Sequence, residues 1–230
     1  MQYKKIVKGR FVERPNRFIA YVEIEGKEEI CHVKNTGRCK ELLQKGCTVY
    51  LEESHNPNRK TKYDLVAVEK GKLLINMDSN APNKVTGEWL TSPECDILQG
   101  ETDIFVKPEY KYGKSRFDFY VEAGRRKIFM EVKGVTLEEN GVVRFPDAPS
   151  ERAIKHVEEL MQATNEGYEA YVMFVIQMKG VKYFTPNEDT HPEFCNTLRK
   201  AAKQGVKILA YDCLVTEETL KLHERVTVLL

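Results

Sequence analysis

The stretch Arg116–Leu137, RFDFYVEAGRRKIFMEVKGVTL, sets Asp118, Glu131 and Lys133 within two runs of alternating apolar residues. Side chains along a strand point to opposite faces in turn. The apolar set of the first run is Phe117, Phe119 and Val121, and that of the second is Ile128, Met130 and Val132. If the runs pair as a hairpin through a four-residue turn, Ala123 to Arg126, the two apolar sets share a face and Asp118 falls opposite Glu131. Glu131 and Lys133, two residues apart, share a face as well. Two carboxylates and an ammonium then converge.

That combination suits phosphodiester hydrolysis. A divalent cation stabilises charge on phosphorus and makes a nucleophile of water. Mg²⁺ takes one or two carboxylates, with waters and substrate phosphate completing its shell. Asp118 and Glu131 supply carboxylates, and the backbone carbonyl of Val132 is a further candidate ligand. Lys133 would orient the water or offset negative charge on phosphate. The same spacing also describes a solvated sheet face on which Lys133 pairs with a neighbouring carboxylate. Both readings stay open at this point.

Upstream, the first 80 residues read as short strands with turns between them. RFIAYVEIEG and EEICHVKN form a hairpin about Gly26, and GRCKELLQKG reads as a short helix stopped by Gly46. CTVYLEES is a strand, HNPNRKTK a polar loop, and YDLVAVEKGKLLINM a hairpin turning at Lys70-Gly71. Short strands with one helix before the fourth suggest a Greek-key barrel of the OB type, with an SH3-like barrel as the alternative. DSNAPNK reads as a linker. Beyond it, KVTGEWL starts a short helix and SERAIKHVEELMQATNEG forms an amphipathic one, with Ser150 as N-cap and Gly167 past its end. EAYVMFVIQM is an apolar strand, FCNTLRKAAKQGV a helix closed by Gly205, and KILAYDCLV a last strand. Helices alternating with strands argue an α/β domain with a mixed sheet covered on both faces. The expected division is 1–80 and 81–230.

The composition, 41% hydrophobic and 31% charged over 230 residues, is that of a globular chain. No apolar run approaches the ~20 residues of a membrane helix, and the N-terminus has no apolar signal region. Six cysteines without a C-x-x-C pair read as reduced thiols in a cytoplasm. The net charge of +1 hides a division: residues 1–85 carry 17 Lys and Arg against 11 Asp and Glu, and the remainder 19 against 24. A basic module joined to an acidic one suits a nucleic-acid binder attached to a carboxylate metal site.

The stretches RPNRFIA, HVKNTGR, KYGKSRFDF, EVKGVTL and FPDAPSERAIKHVEEL together resemble the sugar fermentation stimulation protein family, from about Arg14 to Tyr211. EVKGVTL, then FPDA, then R..KH is the most specific part. Phe117 stands before the Asp where Pro is usual, Lys34 before NTG where Pro is frequent, and Ala153 after Arg152 where Gly is common. The resemblance implies an N-terminal OB-type barrel and a PD-(D/E)XK nuclease-like mixed-sheet α/β domain. It also implies Mg²⁺ or Mn²⁺ as cofactor, and DNA as a partner bound without strong sequence preference in the cytoplasm, with no membrane. Asp118, Glu131 and Lys133 take the places of that superfamily's Asp and E-x-K. Glu88 is the candidate for its earlier acidic ligand, ahead of Glu94 and Glu109. The NTG loop, with Lys34, Asn35, Thr36 and Arg38, is a candidate phosphate contact. Arg14, Arg17, Arg116, Arg152, Lys155 and His156 are further candidate nucleic-acid contacts. Two functions remain: a metal-dependent nuclease, or a non-catalytic DNA-binding regulator of sugar metabolism genes that retains the nuclease fold. The oligomeric state stays open, a homodimer included.

Overall fold

The computed structural model describes the chain except for Thr36, Pro57 and Lys114. Six strands come first: β1 (Ile6–Glu13), β2 (Ile19–Ile24), β3 (Lys27–Val33), β4 (Thr48–Glu53), β5 (Tyr63–Lys70) and β6 (Leu73–Asn76). β1 pairs with β2 and β4, β2 with β3 and β4 with β5, and a parallel pairing of β3 with β5 closes five strands into an OB barrel. The β2–β3 turn is Glu25-Gly26, with φ of 51° and 77°. Two positive φ values match the right-handed twist of the flanking strands. The sequence reading had not singled out β1. Its one buried side chain is Phe11, so its inward pattern is faint. The expected helix over GRCKELLQKG is replaced by turns. Leu43 N–H reaches the Cys39 carbonyl at 3.0 Å, but Gln44 N–H doubles back to Leu42 O at 3.0 Å, and no helix propagates.

The rest of the chain runs α1 (Ala81–Leu90), β7 (Phe105–Tyr112), β8 (Ser115–Ala123), β9 (Arg126–Val135), β10 (Leu137–Glu139), β11 (Val142–Phe145), α2 (Glu151–Asn165), β12 (Glu169–Ile176), β13 (Tyr183–Pro186), α3 (Pro192–Lys203), β14 (Lys207–Val215) and β15 (Leu220–Arg225). The main sheet has the order β15-β14-β12-β9-β8-β7. β12 is parallel to β9 and β14, and the outer pairings are antiparallel. β10, β11 and β13 make a small second sheet, and β15 follows the strand expected to be last. α1 starts inside the stretch read as a linker. Asn80 is its N-cap and Pro82 lies in its first turn, where an absent N–H costs no helix bond.

Both faces of the main sheet are covered. Val85, Trp89 and Leu90 of α1 pack on Phe119, Met130 and Val132. Val157 and Leu160 of α2, with Leu198 of α3, pack on Phe129 and Phe174. α2 forms because Ile154, Val157, Leu160 and Met161 recur at helical spacing and are buried together. The Ser150 hydroxyl accepts the Ala153 N–H at 3.2 Å, a cap that contributes about 1 kcal/mol.

Barrel and sheet are not independent. Val33, Leu65 and Met77 share one apolar cluster with Phe174 and Met178. At the seam the Gln177 amide donates to Asn76 Oδ1 at 2.9 Å and to the Asp78 carbonyl at 3.0 Å. Gly134, next to Lys133, faces this junction. A Cβ there would lie 2.6 Å from Gln177 Oε1 and 2.8 Å from Pro82 Cγ, so the glycine of EVKG permits the close approach.

Candidate metal centre and nucleic-acid interface

β8 and β9 pair as Phe119↔Met130, Val121↔Ile128 and Ala123↔Arg126. The same register, continued, puts Asp118 opposite Glu131. There the Asp118 side chain takes over from the ladder: Oδ2 accepts the Val132 N–H at 2.7 Å, and Oδ1 accepts from Asn83 Nδ2 of α1 at 2.8 Å. Alternation breaks at this residue. Phe119 belongs to the core under α1, whereas Phe117 packs at a tilt against Phe129, 5.0 Å between ring centroids, in the core under α2. The apolar set of the first run is therefore split between faces, and the break turns Asp118 toward α1.

Glu131 is 3% exposed. Its Oε1 accepts from Lys133 Nζ at 2.6 Å and from His156 Nδ1. Its Oε2 is buried and has no hydrogen-bond partner among the described residues. Burial pushes the Glu131 carboxyl up, but the His156 bond and the Lys133 ammonium outweigh it and hold it below the ordinary range. Asp118 goes the other way: burial, then the Glu131 charge, raises it. Leaving a buried polar atom unpaired costs about 1–3 kcal/mol. An unpaired carboxylate oxygen beside a second, destabilised carboxylate is the donor set a hard divalent cation fits.

No third acid joins them from the expected places. Glu88 binds the Met1 amine at 2.6 Å, Glu94 the Lys221 ammonium at 2.8 Å, and Glu109 the Arg116 guanidinium at 3.1 Å. The α1 residue that reaches the centre is Asn83. No pattern in the sequence marked it, because its role depends on how α1 crosses the sheet.

The basic residues fall into two groups. Arg116, Arg152, Lys155 and His156 line one cleft of about 940 Å³ with Lys111, which the sequence reading did not name. Among them His156 is 5% exposed, and its Nδ1 is bonded to Glu131. In the barrel, Arg14 does not present its charge to a ligand. Its guanidinium donates to four backbone carbonyls, those of Gly37 (2.9 Å), Arg38 (3.0 Å), Arg17 (2.7 Å) and Asn35 (2.6 Å). Lys34 lies among Glu52 (3.3 Å), Asp78 (3.4 Å) and Asp64 (3.7 Å). Burial lowers its pKa, the three carboxylates outweigh that, and the net shift is upward. Asn35 Oδ1 accepts the Gly37 N–H at 2.8 Å. Thr36 lies outside the described residues.

Arg17 and Arg38, with Lys40, remain exposed and in no ion pair among the described residues. They line a groove of about 490 Å³, which shares Arg17, Gly37 and Ala148 with a second groove of about 470 Å³ running past Gly134, Arg144 and Ser150. Basic side chains thus run from the barrel loop toward the start of α2. Elsewhere, Glu151, His191 and Glu193 bring ligand atoms within 4.8 Å of one another. There His191 Nδ1 already accepts the Ser150 N–H at 3.3 Å, and both carboxylates are exposed.

Fold and site together define a two-module protein: an OB barrel joined to a mixed-sheet α/β unit that carries a paired-carboxylate and lysine centre. Residues 12–77 match the model of the SfsA N-terminal OB domain, and residues 80–219 that of the Sugar fermentation stimulation protein RE domain. The chain belongs to the sugar fermentation stimulation protein family. It is 60% identical over 228 residues to a sugar fermentation stimulation protein homolog of Desulfitobacterium hafniense, covering 99% of this chain and 98% of the relative. A homolog from Clostridium beijerinckii is 56% identical over 230 residues, all of both chains. The structure of Pyrococcus furiosus SfsA in complex with Ca²⁺ matches with a TM-score of 0.85 and 26% identity, over 100% of this chain and 98% of that one.

Proposed function

We propose that this protein is a divalent-cation-dependent nuclease that binds DNA without strong sequence preference, residues 1–80 serving chiefly to hold the strand and residues 81–230 to cut it. The observation that carries the reading is the pairing of Asp118 with Glu131, whose free Oε2 is buried and whose Oε1 is bonded to His156, a residue that lines a cleft with Lys111, Arg116, Arg152 and Lys155. Asp118 and Glu131 would hold Mg²⁺ or Mn²⁺, which supplies Lewis-acid stabilisation of phosphate charge and a more acidic water. The Ca²⁺ complex of the Pyrococcus furiosus relative supports a hard, oxygen-preferring cation in this family. Lys133, 14% exposed at its side chain, holds an ammonium beside Glu131, where a scissile phosphate would gain charge. Arg116, Arg152 and Lys155 would position the phosphates on either side, with Lys111. In hydrolysis the water oxygen bonds to phosphorus, the P–O bond of the leaving sugar breaks, and the water proton ends on that leaving oxygen.

Incubating the protein and its Asp118→Asn and Lys133→Ala variants with labelled DNA and RNA, in Mg²⁺, Mn²⁺ or EDTA, tests this. Metal-dependent cleavage should fall by orders of magnitude in both variants. DNA affinity should hold or rise in Asp118→Asn, since a negative charge near phosphate is removed. No cleavage by the parent, with binding intact, would leave the non-catalytic DNA-binding regulator. Cleavage by Asp118→Asn at the parental rate would betray a contaminant.

A further inference from the structure

His156 came out of the sequence as a nucleic-acid contact, yet its side chain is almost wholly enclosed and turned inward. Its two ring nitrogens have different neighbours. Arg152 Nε–H, one turn earlier on α2, donates to Nε2 at 3.4 Å. Nε2 is then the acceptor, and the ring proton sits on Nδ1, which donates to Glu131 Oε1. The same oxygen takes the Lys133 ammonium at 2.6 Å. Two donors thus converge on one carboxylate oxygen, and the other oxygen is left buried and unpaired among the described residues.

We infer that His156 is a positioning residue for the cation site: with Lys133 it pins Glu131 by Oε1, so that Oε2 stays directed to the metal, and Arg152 fixes the imidazole in the tautomer this requires. The inference rests on the reading that Asp118 and Glu131 hold the cation. A free glutamate has three rotatable bonds, and ordering it costs entropy each time a metal binds. A carboxylate already held by two donors pays that cost in folding. Partners that orient a ligand in this way change metal affinity by about 10- to 100-fold when removed. This makes His156 a contributor to metal affinity and not to phosphate affinity. The two roles separate experimentally.

The test is calorimetric titration of Mn²⁺ alone into the full chain, beside DNA binding measured in EDTA. His156→Leu fills similar volume and removes the Nδ1 donor. His156→Gln keeps an amide but moves its donor to the Nε2 position, and replaces His156→Leu if thermal melts show that variant unfolded. His156→Asn keeps an amide donor where Nδ1 was. We expect His156→Leu and His156→Gln to bind Mn²⁺ about 10- to 100-fold more weakly, His156→Asn to stay within a few-fold of the parent, and DNA affinity in EDTA to be unchanged in all three. Parental Mn²⁺ affinity in His156→Leu or His156→Gln overturns the inference, as does an Asn variant no better than Leu, or a tenfold loss of DNA affinity in EDTA. Asp118→Asn and Glu131→Gln are run alongside. If these also bind Mn²⁺ like the parent, the cation site itself is misplaced. If they lose it and His156→Leu does not, only the role of His156 falls.

Discussion

Asp118 and Glu131 are neighbours with opposite energetics. A carboxyl raised above its ordinary range is ionised at neutral pH at a cost to the fold, and one lowered below it is ionised to the fold's benefit. In metal-free protein, Asp118→Asn should therefore raise Tm, with the Asn83 amide turning over to keep its bond. Glu131→Gln should lower it, because Lys133 and His156 lose their charged partner. Breaking a buried pair costs about 3 kcal/mol or more, or roughly 6 °C upward. Thermal melts in EDTA check both signs, and two losses would contradict the contrast. The break in alternation at Asp118 was not legible; the register that sets Asp118 opposite Glu131 was, because a one-residue slip would send every side chain of a strand to the other face. Asn83 and His156 were not. They enter from helices on opposite sides of the sheet, and no local spacing relates either helix to the strands.

The barrel loop shows how a charged side chain misleads at the level of an element. Arg14 and Arg38 look alike in sequence, both basic and beside turn residues. Arg14 commits its guanidinium to the carbonyls of Arg17, Asn35, Gly37 and Arg38, whereas the Arg38 side chain has no partner among the described residues. Arg14→Ala should cost at least ~2 kcal/mol of stability, since bonds to a charged donor contribute about 1.5–3 kcal/mol each and are not additive. Arg38→Ala should leave Tm unchanged and lower the slope of log affinity against log salt by about one. Melts and salt titrations on the pair separate frame from contact. A salt slope lowered by Arg14→Ala in a protein whose Tm is unchanged would restore Arg14 as a contact. The same loop explains the missing helix: KELLQ has helical composition, but Cys39, with φ of 44°, is left-handed and sets the entry to a turn.

At the scale of the whole molecule, alternation of strands and helices announced the two modules, but not the core they share, since contacts between distant segments leave no local period. Stability also has a remote electrostatic part. At the far end of the sheet Glu169 binds Arg126 at 2.6 Å and Lys207 at 2.7 Å. The Arg126 bond, above all, pulls its carboxyl down from 4.5 to about 2. A depressed carboxyl contributes stability that is complete above its unfolded value and is lost as pH falls toward its folded one. The Tm difference between parent and Glu169→Gln should thus be constant from about pH 6 to 8 and shrink from about pH 4.5 downward. A difference that held or widened in acid would contradict it. The proposed function, however, turns on whether a cation sits between Asp118 and Glu131. The direct measurement is an anomalous difference map from crystals soaked in Mn²⁺. The paired carboxylates predict a peak in contact with Asp118 and with Oε2 of Glu131. A peak only at Glu151, His191 and Glu193, or none while Glu131 stays bound to Lys133 and His156 alone, would contradict a catalytic centre built on EVK.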